Sequence, residues 1–137
     1  MEAARLKRYK DKLDLLRKRK AEIEEWEGDF LGDEKTALAC YKAFQEMVEA
    51  AMDILAMVLR DENTPPKDDY SNIDSALGKK VISGRLGKAL KEANGLRNRV
   101  VHEYNGLDEN TAYESMLGLL PFFEELAQAV GEWLGKK

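Results

Sequence analysis

The chain has 137 residues, 44% hydrophobic and 35% charged, with formal net charge −4, one cysteine and one histidine. It is long enough for a single domain, residues 1–137, and without a signal segment or a run of roughly 18 apolar residues it reads as soluble, cytoplasmic and free of membrane partners. Lone Cys40 excludes an internal disulfide framework, and one Cys with one His excludes a thiolate–imidazole zinc site within one chain.

Apolar residues recur at helical spacing throughout, with no strand-like alternation and no internal repeat. The first helix is expected over about residues 3–27, a basic N-terminal helix carrying Leu6, Tyr9, Leu13, Leu16, Ile23 and Trp26, with Gly28 supplying a left-handed residue after its end. Asp33 suits the N-cap of a second helix, about 34–61, whose stripe is Ala37, Tyr41, Phe44, Val48, Ala51, Leu55 and Val58. Pro65–Pro66 stops it and opens a long loop, 62–72. A short helix over about 73–79 and a longer one from Ser83 to Tyr104 follow, the latter with Leu86, Leu90, Ala93, Arg97, Val100 and Tyr104 in one row. Asn105–Gly106 makes a turn, and either Asp108 or a Thr111/Glu114 capping box opens a last helix to about Leu134, kinked at Pro121. The fold class is therefore all-α, an up-and-down bundle of four main helices plus a short one.

The net charge conceals blocks. Residues 1–20 hold nine bases and three acids, and residues 79–102 hold seven bases and one acid; residues 21–34 and 103–135 each hold seven acids and no base. Two basic stretches can gather a polyanion by its phosphates, or can simply be solvated helix faces.

The most informative run is Leu96-Arg97-Asn98-Arg99-Val100-Val101-His102-Glu103-Tyr104. Arg97 stands in an apolar row, where a guanidinium is costly unless paired or placed at an interface or pocket. Asn98 and His102 share a face, whereas Arg97 and His102 lie about 140° apart around a regular helix. They converge around a groove, or if the helix loosens before His102, or if a second copy faces them. The set suits phosphodiester cleavage. A neutral imidazole takes a proton from a ribose 2′-hydroxyl, and an arginine fork matches the phosphorane oxygens without a metal. Such a reaction wants an acid and a base, and with one His per chain a two-fold dimer supplies the pair. Asn98 can orient the histidine or a phosphate oxygen, and Arg99 adds supporting charge. The plain alternative for His102 is a helix-dipole partner near a C-terminus. Glu49 and Asp53 can hold a cation with substrate phosphates, but suit counter-charges for Arg97 or Arg99 better. Cys40 reads as a packed small residue, and Gly95 within a helix suggests close packing.

Arg97-Asn98-x-x-x-His102-x-Tyr104 resembles the Arg-x4-His-x-Tyr signature of HepT-like toxins in the HEPN superfamily, and the likeness extends over about residues 28–134. The resemblance implies a homodimeric helical bundle that cleaves RNA without metal or other cofactor, Arg97 and His102 being catalytic and Asn98 supporting. It also implies a minimal nucleotidyltransferase antitoxin that adenylylates Tyr104. Adding a nucleotide there would bring bulk and negative charge to the cleft. Other HEPN domains bind nucleotides or serve a nucleotidyltransferase as a substrate-binding module without cutting anything, and that is the second implied reading.

Overall fold

Steps of three and four between apolar residues build five α-helices in the computed structural model, which describes residues 1–137: α1 (Ala3–Trp26), α2 (Glu34–Asp61), α3 (Asp69–Gly78), α4 (Gly84–His102) and α5 (Glu109–Gly135). Four of them start on a side-chain cap. Asp33, Asp68, Ser83 and Asp108 accept from the amides of Lys35, Ser71, Leu86 and Asn110, satisfying donors that a helix start leaves free. Between the two capping expectations for α5, Asp108 wins. Just past the end of α2, Asn63 takes φ 58° two residues before Pro65, so the left-handed stop is an asparagine. No glycine has positive φ, and Gly28 lies instead in a 3₁₀ turn spanning Glu27–Asp29.

The expected 62–72 loop is shorter than the sequence suggested, because α3 begins at Asp69. The signal was Asp68, whose carboxylate takes both the Ser71 amide at 2.9 Å and the Ser71 hydroxyl at 2.9 Å. Buried Asn72 then pins the loop by accepting from the Lys67 amide and donating to the Lys67 carbonyl.

The four long helices form a ring in which α1 neighbours α2, α2 neighbours α4, α4 neighbours α5, and α5 returns to α1. Paired side chains show each neighbour running antiparallel. Glu49 meets Arg97 and Tyr41 meets Tyr104 across α2 and the α4 end; Tyr9 meets Trp133 and Arg17 meets Glu124 across α1 and α5. This is the expected up-and-down bundle, with α3 laid across the outside of α2 and α4. Its centre is one cluster of 37 buried residues drawn from every long helix, so the site described below rests on a continuous packed support. At one end, fully buried Tyr9 donates to Asp61 at 2.7 Å, tying α1 to α2 beneath the Trp133 ring.

The close approach expected at Gly95 occurs at Gly87 instead. A Cβ at Gly87 would lie 2.8 Å from Leu77 Cδ1 of α3, whereas one at Gly95 would find only the Tyr70 hydroxyl at 3.6 Å and an Arg99 nitrogen at 4.0 Å. Gly95→Ala is expected to stabilise by up to about 1 kcal/mol through helix propensity. Gly87→Ala is expected to give a net loss, since overpacking costs about 1–3 kcal/mol. Thermal melts of the two variants against the parent check the opposite signs.

α1 is not a free basic surface. Arg5, Lys7, Lys12, Arg17, Arg19 and Lys20 are engaged with Asp61, Asp11, Asp53, Glu124, Glu22 and Glu46, and Glu24, leaving only Arg8, Lys10 and Lys18 without an acidic partner. Four of the nine bases thus fix α1 to α2 and α5, and two more pair within α1. No helix is long and apolar enough to cross a membrane.

Candidate active site

The singled-out residues sit at the C-terminal end of α4. The helix stays regular through His102, where Glu103 leaves it at φ −133° and ψ 33°, and Tyr104 opens a short 3₁₀ turn. α4 therefore ends two residues before the expected Tyr104. Because it does not loosen earlier, Arg97 and His102 keep their separation of about 140°.

Arg97 is turned inward, toward α2. Its Nη2 donates to Glu49 Oε2 at 2.8 Å and its Nη1 donates to Asn98 Oδ1 at 2.7 Å, with the side chain 23% exposed. The apolar-row position is thus stabilised by a carboxylate reaching across from α2. Asn98 bonds the arginine and not the histidine, so its supporting role is to set the guanidinium plane. Arg97 Nε is buried without a partner, as is Asn94 Oδ1 one turn earlier. Sequence reasoning passed over Asn94, whose only signal was a polar residue three positions before Arg97 on the same helix side.

Glu49 and Asp53, a possible cation-holding pair, are separately committed as counter-charges. Glu49 holds Arg97, and Asp53 holds Lys12 at 2.8 Å. Burial pushes the Glu49 carboxyl up, but hydrogen bonds from Arg97 and Gln45 outweigh it and leave the group below its ordinary 4.5. Asp69 at the start of α3 shifts the other way. Burial raises it, and the nearby Asp53, Asp68 and Glu49 charges add to the effect against the pull of Arg97. The notch around Arg97 is therefore acidic on two sides. The Glu49–Arg97 pair should stabilise the fold fully above the ordinary glutamate range and lose its contribution as pH falls through the lowered folded value. Glu49→Gln is expected to flatten that acid limb in denaturation midpoints measured from neutral pH down to about pH 3.

His102 is exposed on the outer surface. Arg99 is exposed too, but it points to the opposite side of α4 from Arg97, toward α5, and lines the cavity between those helices. It therefore does not supplement Arg97, and within one protomer it is the arginine nearer the face of His102. Tyr104 is 37% exposed, its ring set edge-on to Tyr41 at 5.6 Å and 90°, lining a cavity of about 480 Å³ beside the starts of α2 and α5. Val101, one turn before Tyr104, is also exposed, as is Leu38 on α2. Cys40 is fully buried, and burial pushes its thiol up to about 11, which leaves it an inert packed residue.

Comparison with known proteins matches residues 9–130 to the family described as ribonuclease HepT-like. The chain belongs to the ribonuclease HepT-like family. This HepT-like chain is 32% identical over 126 residues to an Archaeoglobus fulgidus protein named "Putative RNase", the match covering 92% of this chain and 93% of that one. It is 27% identical over 109 residues, 77% of this chain and 73% of the other, to a tRNA nuclease HepT from Aphanizomenon flos-aquae. Its fold matches a tri-AMPylated Shewanella oneidensis HEPN toxin solved in complex with an MNT antitoxin, with TM-score 0.86, 20% identity, and 96% and 99% of the two chains covered. At that identity the likeness establishes the HEPN-like bundle. The family makes this HepT-like chain an endoribonuclease by class.

Proposed function

We propose that the chain is the ribonuclease toxin of a toxin–antitoxin pair, a metal-independent endoribonuclease whose Arg97 and His102 act in a cleft shared by a homodimer. The observation that carries this is the division of the motif over two sides of a regular helix: Arg97 is braced inward by Glu49 and Asn98, and His102 is free and outward. One protomer offers an anchored phosphate fork and a single exposed imidazole. A second copy, related by a two-fold axis and seated on the partly apolar surface around Leu38, Val101 and Tyr104, brings the other acid–base group.

In this reading one His102 takes the proton of a ribose 2′-hydroxyl as its oxygen attacks the neighbouring phosphorus. His102 of the partner subunit gives a proton to the departing 5′-oxygen, leaving a 2′,3′-cyclic phosphate and a 5′-hydroxyl. Arg97 binds the equatorial oxygens as charge builds, with its direction already set by Glu49. RNA is the substrate class, and the named relative makes tRNA the first probe. The partner that restrains the enzyme is a minimal nucleotidyltransferase antitoxin. The exposed Tyr104, braced by Tyr41, is the acceptor on which an adenylyl group would crowd the cleft and repel phosphate.

The test is a cleavage assay in chelator, combined with subunit mixing. Wild-type protein is expected to cut tRNA in EDTA. When wild type and His102→Ala are mixed equally and allowed to exchange subunits, a site that needs both histidines keeps about a quarter of the activity of the undiluted wild type. Retention of half would show that each protomer acts alone, and dependence on added metal would overturn the mechanism.

A further inference from the structure

α4 carries a second pattern that the Arg97–His102 reading does not use. Arg85, Lys88, Glu92, Gly95, Arg99 and His102 follow one another at steps of three and four, so they share one face of the helix and run about 26 Å to the imidazole. This face borders a groove between α4 and α5. The larger part of the groove is a cavity of about 630 Å³, which meets a smaller one of about 200 Å³ at Leu96, Arg99 and Ser115. Gly95 and Gly118 keep the walls low, since a Cβ at Gly118 would meet nothing within 4 Å.

Two of the cations on this face are unpaired and stand beside a groove. Lys88 and Arg99 are exposed and have no acidic partner, and Arg85 keeps only a 3.7 Å contact with Glu125. Lys91 on the rim is held by Asp74 at 2.6 Å, and Glu92, Glu103 and Asp108 are the opposing charges along the path. Arg85 also lies over the Phe122 ring, 4.8 Å from its centre, leaving an aromatic platform under a guanidinium on the α5 wall. A free arginine fork, a second unpaired cation about three helical turns away and a half-buried aromatic ring form a set that grips single-stranded nucleic acid through phosphate and base stacking.

We propose that the α4–α5 groove is the track for the single-stranded RNA segment that flanks the cleaved bond. Arg99 grips the phosphate beside His102, Lys88 grips one further along, and Phe122 stacks a base in place of the Arg85 guanidinium that now covers its ring. The proposal rests on the ribonuclease reading above and makes Arg99 a substrate-binding residue on a different side of α4 from the catalytic arginine. Glu92, midway along the path, weakens the hold.

The test uses the full chain carrying His102→Ala, so that RNA is bound and not consumed, with a fluorescein-labelled single-stranded oligoribonucleotide as the probe. Binding is read by anisotropy over a series of salt concentrations. Arg99→Ala and Lys88→Ala are each expected to lower the slope of log affinity against log salt by about 0.7, the value for one phosphate contact on a single strand. Phe122→Leu, which keeps the apolar contact with the bundle, is expected to weaken binding about tenfold. Glu92→Gln is expected to tighten it, a gain that general damage to the fold would not produce. In the cleaving protein, Arg99→Ala should raise KM with little change in kcat. Unchanged slopes and affinities in variants of a parent that binds RNA overturn the groove alone. A change of oligomeric mass on substituting Arg99 or Phe122 also overturns it, making the groove a contact between copies. A parent that binds no RNA overturns the ribonuclease reading and the groove together.

Discussion

His102→Ala is expected to lower RNA cleavage by about 10²- to 10⁴-fold, the range supplied by a positioned acid–base group, while leaving the protein folded. Two features separate these effects. His102 is exposed and is the final residue of α4, so removing its imidazole opens no cavity in the core. The structural loss is confined to an interaction with the helix C-terminus, about 0.3–1 kcal/mol when the imidazole is charged. For a chain of this size that is a shift of a few degrees in Tm. If one proton-transfer group is lost from each side of a two-fold cleft, both the attack and the departure of the 5′-oxygen suffer. Single-turnover cleavage of tRNA, with a thermal melt of the same preparation, checks the prediction. Undiminished cleavage by the folded variant would remove the catalytic assignment and favour a HEPN module that binds without cutting.

Arg97 carries the second large effect. Arg97→Ala is expected to cost about 10²- to 10³-fold in kcat, comparable to removing one donor that stabilises a developing oxyanion. Arg97→Lys is expected to recover little of this. The ammonium cannot span Glu49 and Asn98 with one planar fork and still present a donor edge to phosphate, although it keeps the charge. The stability cost should be modest, because the Glu49 carboxylate freed by the change is 38% exposed and remains partly hydrated. A comparison of kcat and KM separates this role from that of Arg99. Loss of Arg97 should fall mainly on kcat, and loss of Arg99 mainly on KM.

These two arginines show where sequence stopped and tertiary structure took over. Both stand beside His102 in the chain and both were drawn to the same site by proximity. The helical period alone sends them to different sides of α4, and packing then gives each side its meaning: Arg97 meets a carboxylate from α2, while Arg99 meets an open groove against α5. Asn98 was placed on the face of His102, yet its amide oxygen is taken by Arg97, because the neighbouring guanidinium is close enough to reach it and the imidazole has turned toward solvent.

The charge blocks teach the same distinction. Nine bases in residues 1–20 look like a surface for phosphate, but α1 lies against α2 and α5, whose acids take four of them, and acids of α1 itself take Lys7 and Lys20. The sparser bases of α4 include Lys88 and Arg99, which are exposed and make no ion pair. A count along the chain cannot make that separation, since it depends on which helix packs beside which.

Composition and spacing by themselves determined a great deal about this protein. Helical periodicity and the capping residues Asp33, Ser83 and Asp108 specify an all-α chain and most of its helix limits, because those signals act within a few residues of where they stand. The Arg97–His102–Tyr104 pattern singled out the end of α4, and a single histidine made a second copy the expectation for paired acid–base chemistry. Only the tertiary structure decided which charges are spent, which glycine is crowded, and which side of α4 each arginine serves. Those outcomes depend on neighbours distant in sequence: Glu49 lies 48 residues from Arg97, and Leu77 comes from a different helix to crowd Gly87.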